Sequence, residues 1–159
     1  MATNIFPSKR TVTRAVRAEA LAHEHDAKFR GCTVWLTGLS AAGKTTIAFG
    51  LDRLLAELHV PCYSIDGDNM RSGLNKDLGF SPEARKENIR RVAEVAHLFA
   101  DAGLIAIASF ISPYAADRDS ARALHAGDDV PFVECHVAAS LEVCEGRDPK
   151  GALYHLISL

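Results

Sequence analysis

The chain has few cysteines, no long apolar run and no surplus of charge of either sign, and each absence excludes a class of protein. Its four cysteines, Cys32, Cys62, Cys135 and Cys144, are scattered without a C-x-x-C pair. Three fall in or beside apolar runs, so reduced, buried thiols are expected in place of a disulfide framework or a zinc site. Polar residues break every apolar stretch well short of the roughly 20 needed to cross a bilayer, so a soluble protein without a membrane partner is expected. Lys and Arg number 18 against 20 Asp and Glu, a formal charge of −2, which lacks the strongly basic footprint of a dedicated nucleic-acid binder. Neither an internal repeat nor a low-complexity tract is visible.

What is present suits one ordinary globular domain: 159 residues, 48% of them hydrophobic and 24% charged, enough to build a real core. Lys9, Arg10, Arg14 and Arg17 precede the first acid, Glu19. Residues 1–30 therefore read as a basic N-terminal extension, for which a solvated arm and a transit peptide are both open, and residues 31–159 read as the domain. Within it, short runs rich in β-branched and apolar residues at 32–37, 62–65, 105–110 and 132–137 alternate with longer stretches of helical period. That alternation predicts an α/β fold with a mostly parallel sheet and helices on both faces.

The best-marked helix opens at Ser81, an N-cap residue followed by Pro82 and the acidic Glu83, and Gly103 lies past its end. Ile89, Val92, Ala96 and Phe99 recur at helical spacing as its apolar face. Arg85 and Asn88, three residues apart, are expected to point together to one place off that face.

The first strand runs into Gly38-Leu39-Ser40-Ala41-Ala42-Gly43-Lys44-Thr45, followed by a helix carrying Ile47, Leu51, Leu54, Leu55 and Leu58. Two glycines, a lysine and a hydroxyl residue at this spacing arise by chance in roughly 0.5% of chains this long, and the strand and helix on either side are what a phosphate-binding loop requires. Backbone N–H groups of the loop and the helix start can converge on phosphate oxygens. Lys44 is expected at the β- and γ-phosphates, and the Thr45 hydroxyl on magnesium.

The second strand emerges into Asp66-Gly67-Asp68-Asn69-Met70-Arg71, at the carboxyl edge where open α/β sheets bind ligands. A carboxylate there can orient magnesium or accept a proton, and an arginine can neutralise an anionic acceptor; Asp66 can equally cap a helix. Phe80 can stack on a base or serve as a hydrophobic staple before Ser81. Ser112, before Pro113 at the end of the third strand, suits a ligand, a covalent way-station, an N-cap or a turn, the last two being the default for Ser-Pro.

Taken together, the phosphate loop, residues 66–71, 73–81, 87–96 and 110–114, and Cys144-Glu145-Gly146-Arg147-Asp148-Pro149-Lys150-Gly151 resemble adenylylsulfate kinases. The likeness is greatest to the kinase half of the animal enzymes in which a sulfurylase domain follows. The resemblance implies a P-loop NTPase-type three-layer fold and transfer of the γ-phosphoryl group of magnesium-bound ATP to the 3′-hydroxyl of adenosine 5′-phosphosulfate. It implies that Gly38, Ala41, Ala42, Gly43, Lys44, Thr45 and Thr46 hold ATP. Asp68, Asn69, Met70, Arg71, Phe80, Arg85, Asn88, Ile111, Ser112 and Lys150 would hold the acceptor. Asp66 and Lys44 would carry catalysis, with Ser112 as a phosphoserine way-station, and Thr45 and Asp66 would ligate the metal. A homodimer follows by the same resemblance, in the cytoplasm, with a nuclear or organellar pool also open. Ala41 stands where the family has glycine. Beyond Lys150 the family's basic lid, last strand and closing helix are expected to be missing.

Overall fold

The computed structural model describes residues 12, 13, 16, 17, 20 and 31–148. Lys150 and most of the basic extension lie outside these residues. In chain order the described elements are β1 (Cys32–Thr37), α1 (Lys44–Glu57), β2 (Cys62–Asp66), α2 (Gly67–Ser72), α3 (Pro82–Asp101), β3 (Ile105–Ser109), α4 (Ala115–Gly127), β4 (Phe132–His136) and α5 (Leu141–Arg147). The four strands pair in the order β2-β3-β1-β4, all parallel. β1 has the expected bounds, and the ends of β2, β3 and β4 differ by one residue from the sequence expectation. The ladder continues slightly past β3 and β4, where Phe110 N–H donates to Leu36 O at 3.1 Å and Val137 N–H donates to Thr37 O at 2.8 Å.

Both faces of the sheet are covered, which is why its strands are apolar almost without interruption. Successive side chains still point to opposite faces. Trp35, Ala106, Ala108 and Ile65 pack with Ile89, Val92, Ala93 and Ala96 of α3 and Ala121 of α4. Leu36 and Ile107 turn the other way, onto Ala48, with Leu51 and Leu55 of α1 beside them. The core stripe of α1 is narrower than its sequence suggests, because Ile47, Leu54 and Leu58 are exposed.

Helix α3 follows its sequence signals. The Ser81 side chain accepts from Ala84 N–H, and Pro82 and Glu83 occupy the first turn. Ile89, Val92 and Ala96 are buried, and Phe99 stacks on Tyr63 with ring centroids 5.0 Å apart.

All four cysteines are free thiols, Cys144 buried and Cys32 and Cys62 half-buried. Burial, then hydrogen bonding to the Asp52 side chain and its negative charge, pushes the Cys62 thiol up to about 11. Cys135 departs from the expectation: it is exposed, because it lies on β4 at the edge of the described sheet. Among the described residues no helix is long and apolar enough to cross a membrane.

Candidate active site

The ends of β1, β2 and β3 bring the chemistry to one edge of the sheet. The loop from Gly38 to Gly43 leaves β1 with positive φ at Gly38 (142°), Ala41 (59°) and Gly43 (100°). At Gly38 a Cβ would lie 2.7 Å from the Val137 carbonyl oxygen, so both space and backbone demand glycine. Ala41 adopts the left-handed conformation without that freedom, which costs about 1–2 kcal/mol in an L-residue. Ala42 is buried against Cys144 of α5, which backs the loop.

Lys44, the first residue of α1, is 8% exposed. Its Nζ donates to the carbonyls of Gly38 at 3.0 Å and Leu39 at 2.6 Å, so the ammonium closes the loop on itself. Burial lowers its pKa, and the nearby acidic groups Cys144 and Asp66 oppose that shift. The first turn of α1 has no acidic residue and its N-cap makes no side-chain bond. Thr45 and Thr46 are exposed there. These free N–H groups and the helix dipole make an anion site.

Asp66 ends β2 and is nearly buried. Its Oδ2 accepts from Thr45 Oγ1 at 2.9 Å and Ser109 Oγ at 3.2 Å, and its Oδ1 accepts from Asp68 N–H at 3.0 Å. The helix-cap and the Thr45-paired roles anticipated for Asp66 therefore coexist on its two oxygens. Among the described residues no three His, Cys, Asp or Glu side chains cluster to hold a metal. A cation here would need the hard oxygens of Thr45 and Asp66 together with those of a ligand.

On the far side of α2, Asp68 and Asn69 are exposed, whereas the Met70 side chain packs against the core. Arg71 donates to the carbonyls of Leu78 at 3.2 Å and Gly79 at 3.0 Å. Its guanidinium carbon sits 4.4 Å from the centre of the Phe80 ring, that of Arg85 5.9 Å from it. Burial, then the like charge of Arg85, holds Arg71 below its ordinary pKa. Phe80 is 65% exposed and is no hydrophobic staple. A staple packs on the fourth helical residue, and here that residue is Arg85, whose Nε donates to Phe80 O at 2.8 Å. Two cations and an open aromatic face thus gather where an anionic, base-bearing ligand could bind.

Asn88 is covered by the connection that precedes α3. It is 4% exposed, and its Oδ1 accepts from Asn75 Nδ2 at 3.0 Å. After β3, the Ile111 carbonyl accepts from Thr37 Oγ1 at 2.8 Å, and the Ser112 carbonyl accepts from Thr37 Oγ1 at 3.3 Å and from Arg118 at 2.8 Å. Ser112 itself has φ 43°, is 2% exposed, and its Oγ has no hydrogen-bond partner. It is a turn residue and not a cap, since Tyr114 occupies the N-cap of α4. Sequence reasoning missed Thr37, Asn75, Ser109 and Arg118. Ser109 was within reach, because the parallel register pairs it with Asp66; for the other three no pattern of residue types marks the contact.

The family model for adenylylsulphate kinase matches residues 30–157. The chain belongs to the adenylylsulphate kinase family. It is 60% identical over 121 residues to the adenylyl-sulfate kinase of Saccharomyces cerevisiae, a match covering 76% of this chain and 60% of that protein. With the adenylyl-sulfate kinase of Penicillium chrysogenum it shares 54% over 158 residues, covering 95% of this chain and 72% of the relative. The chain thus spans about 60% of the length of the yeast relative it matches. Among solved structures, the APS kinase of Mycobacterium tuberculosis in complex with AMPPNP and APS superposes with a TM-score of 0.77 at 45% identity, covering 82% of this chain and 76% of that one. Membership in this kinase family accords with the parallel sheet and with a phosphate loop at its carboxyl edge.

Proposed function

We propose that this chain is an adenylylsulfate kinase, transferring the γ-phosphoryl group of ATP to the 3′-hydroxyl of adenosine 5′-phosphosulfate. What supports this reading is a phosphate loop closed by Lys44 and tied through Thr45 to Asp66, together with the Arg71–Phe80–Arg85 group on and just after the helix that Asp66 caps. The M. tuberculosis relative, solved with an ATP analogue and APS, supports the choice of both nucleotides.

In this mechanism the loop amides and Thr46 hold the ATP phosphates, and Lys44 leaves the Gly38 and Leu39 carbonyls to meet the charge that builds on the γ-phosphoryl group. Phe80 stacks on the acceptor's base, Arg71 and Arg85 neutralise its phosphosulfate, and Asp68, Asn69, Asn88, Ile111 and Ser112 fix its orientation. The 3′-oxygen attacks the γ-phosphorus in line as the bond to the β–γ bridging oxygen breaks, and the hydroxyl proton passes to the Asp66 carboxylate. ADP and 3′-phosphoadenosine 5′-phosphosulfate result. Thr45 and Asp66 are fit to hold magnesium with the nucleotide's phosphates, and the ion would neutralise charge between them. Direct transfer needs no phosphorylated Ser112, whose Oγ lies buried. A cytoplasmic homodimer belongs to the same proposal and rests on family resemblance.

An acceptor panel tests the reading. With ATP and magnesium, ADP release is expected with adenosine 5′-phosphosulfate and not with AMP or a sugar acid. Equal release with all acceptors, or release only with the others, would overturn it.

A further inference from the structure

Asn75 sits in the polar connection between α2 and α3, yet it is fully buried. Its N–H donates to Met70 O at 2.8 Å and its carbonyl accepts from Leu78 N–H at 3.0 Å, so its backbone ties the connection to the end of α2. Arg71 of α2 grips the same connection at the Leu78 and Gly79 carbonyls. Arg91 of α3 grips it at the Asp77 carboxylate, at 2.7 and 2.9 Å, and at the Leu74 carbonyl at 3.3 Å. At the centre the Asn75 side chain donates from Nδ2 to Asn88 Oδ1, while its own Oδ1 is buried without a partner.

A buried amide with an unpaired oxygen is a poor choice for stability alone, since an apolar side chain of the same size would leave nothing unsatisfied. What it does provide is direction. An asparagine amide has one accepting and one donating end. With Oδ1 of Asn88 engaged by Asn75, its Nδ2 is the end left for a ligand, and the i,i+3 spacing sets Asn88 beside Arg85 along α3.

We infer that Asn75 is a positioning residue for the acceptor pocket: it locks the Asn88 amide with its oxygen inward, so that Asn88 presents a donor to the acceptor nucleotide. The inference rests on the adenylylsulfate kinase reading above. Asn75 touches no reacting atom and acts through Asn88.

Replacing Asn75 by Asp removes the donor and substitutes an acceptor, so Asn88 must invert to bond it and would offer its oxygen outward. Replacing Asn88 by Asp keeps the contact with Asn75 and deletes the outward donor. Calorimetric titration of the full chain with adenosine 5′-phosphosulfate, and separately with a non-hydrolysable ATP analogue, reads the difference. Asn75→Asp and Asn88→Asp are each expected to weaken the acceptor about tenfold or more, with the ATP analogue held within twofold. Asn75→Leu, which keeps the branched shape without the amide, is expected to show the same split and serves if Asn75→Asp does not fold. In the wild-type chain the Asn88 side-chain amide signals in a 15N-1H spectrum should shift when the acceptor is added. Acceptor affinity unchanged in Asn75→Asp and Asn75→Leu, or equal loss for both nucleotides, would overturn the inference alone. A wild-type chain that does not bind the acceptor would overturn the functional reading and this inference with it.

Discussion

Thr45 Oγ1 donates to Asp66 Oδ2 at 2.9 Å, linking the first turn of α1 to the end of β2 across the top of the intervening strand β3. Ser109 Oγ, from the end of β3, meets the same carboxylate oxygen at 3.2 Å. Three strand-to-helix junctions are thereby joined at one charge, and the oxygen that binds Thr45 is not the one that caps α2. Structure and chemistry at Asp66 can therefore be separated by mutation.

Asp66→Asn keeps an oxygen for the Asp68 N–H but loses the charge and the base. Turnover is expected to fall about 10²–10⁴-fold, with a melting temperature within a few degrees of wild type. Steady-state kinetics beside thermal unfolding checks this. Retained turnover would reduce Asp66 to a helix cap.

Arg85 contacts the Phe80 ring and carbonyl but no part of the phosphate loop among its described bonds. Arg85→Ala is expected to weaken adenosine 5′-phosphosulfate binding by about 1.5–3 kcal/mol, the range for a hydrogen bond to a charged group, and to leave ATP binding nearly untouched. Equal loss for both nucleotides in separate titrations would assign Arg85 to scaffolding of the connection before α3.

The layered fold was legible in sequence because buried parallel strands and a well-capped helix both leave strong local signals, and α3 honours every one from Ser81 to Gly103. The facing of individual strand residues was not. In the run Val34-Trp35-Leu36 no polar residue marks a period, and only the docked helices reveal that Trp35 and Leu36 enter opposite layers. At the site, the places of Lys44 and Thr45 were legible because a phosphate loop is contiguous in sequence, and that of Asp66 because an apolar strand runs into it. The cover over Asn88 was not legible, because it comes from Asn75, thirteen residues earlier, and helical spacing carries no information about what a preceding connection covers.

Ala41 has φ 59° with a Cβ. Ala41→Gly relieves about 1–2 kcal/mol of left-handed strain and gives back roughly 0.4–1 kcal/mol through a freer unfolded chain. A net stabilisation of about 0.5–1 kcal/mol is expected from chemical denaturation. A loss of stability would show that the alanine methyl, packed beside Ala42 and Cys144, outweighs the strain.

His125 is fully buried, with Nδ1 donating to Ala121 O at 2.7 Å and Nε2 2.8 Å from the Thr33 hydroxyl. Its ring meets His97 edge-on at 5.3 Å, and His97 Nε2 lies 3.1 Å from the Asp128 carboxylate. Burial lowers the His125 pKa below its ordinary value. Below about pH 6.5, where an unperturbed histidine protonates, the unfolded chain takes up a proton that the folded chain refuses. Stability should therefore fall as pH drops through and below that point and level off above it. Urea midpoints between pH 5 and 7.5 are expected to rise with pH in wild type and to flatten in His125→Gln. The same slope in both proteins would assign the dependence to other groups.

Transfer of label from γ-32P-ATP, with the product resolved and its phosphorylated position identified, tests the phosphoryl-transfer mechanism most directly. Label is expected on the 3′-hydroxyl of adenosine 5′-phosphosulfate with the wild-type chain, and almost none with a folded Lys44→Ala chain, which lacks the ammonium that offsets developing charge. Label appearing only as inorganic phosphate, or reaching the 3′-hydroxyl equally well without Lys44, would contradict it.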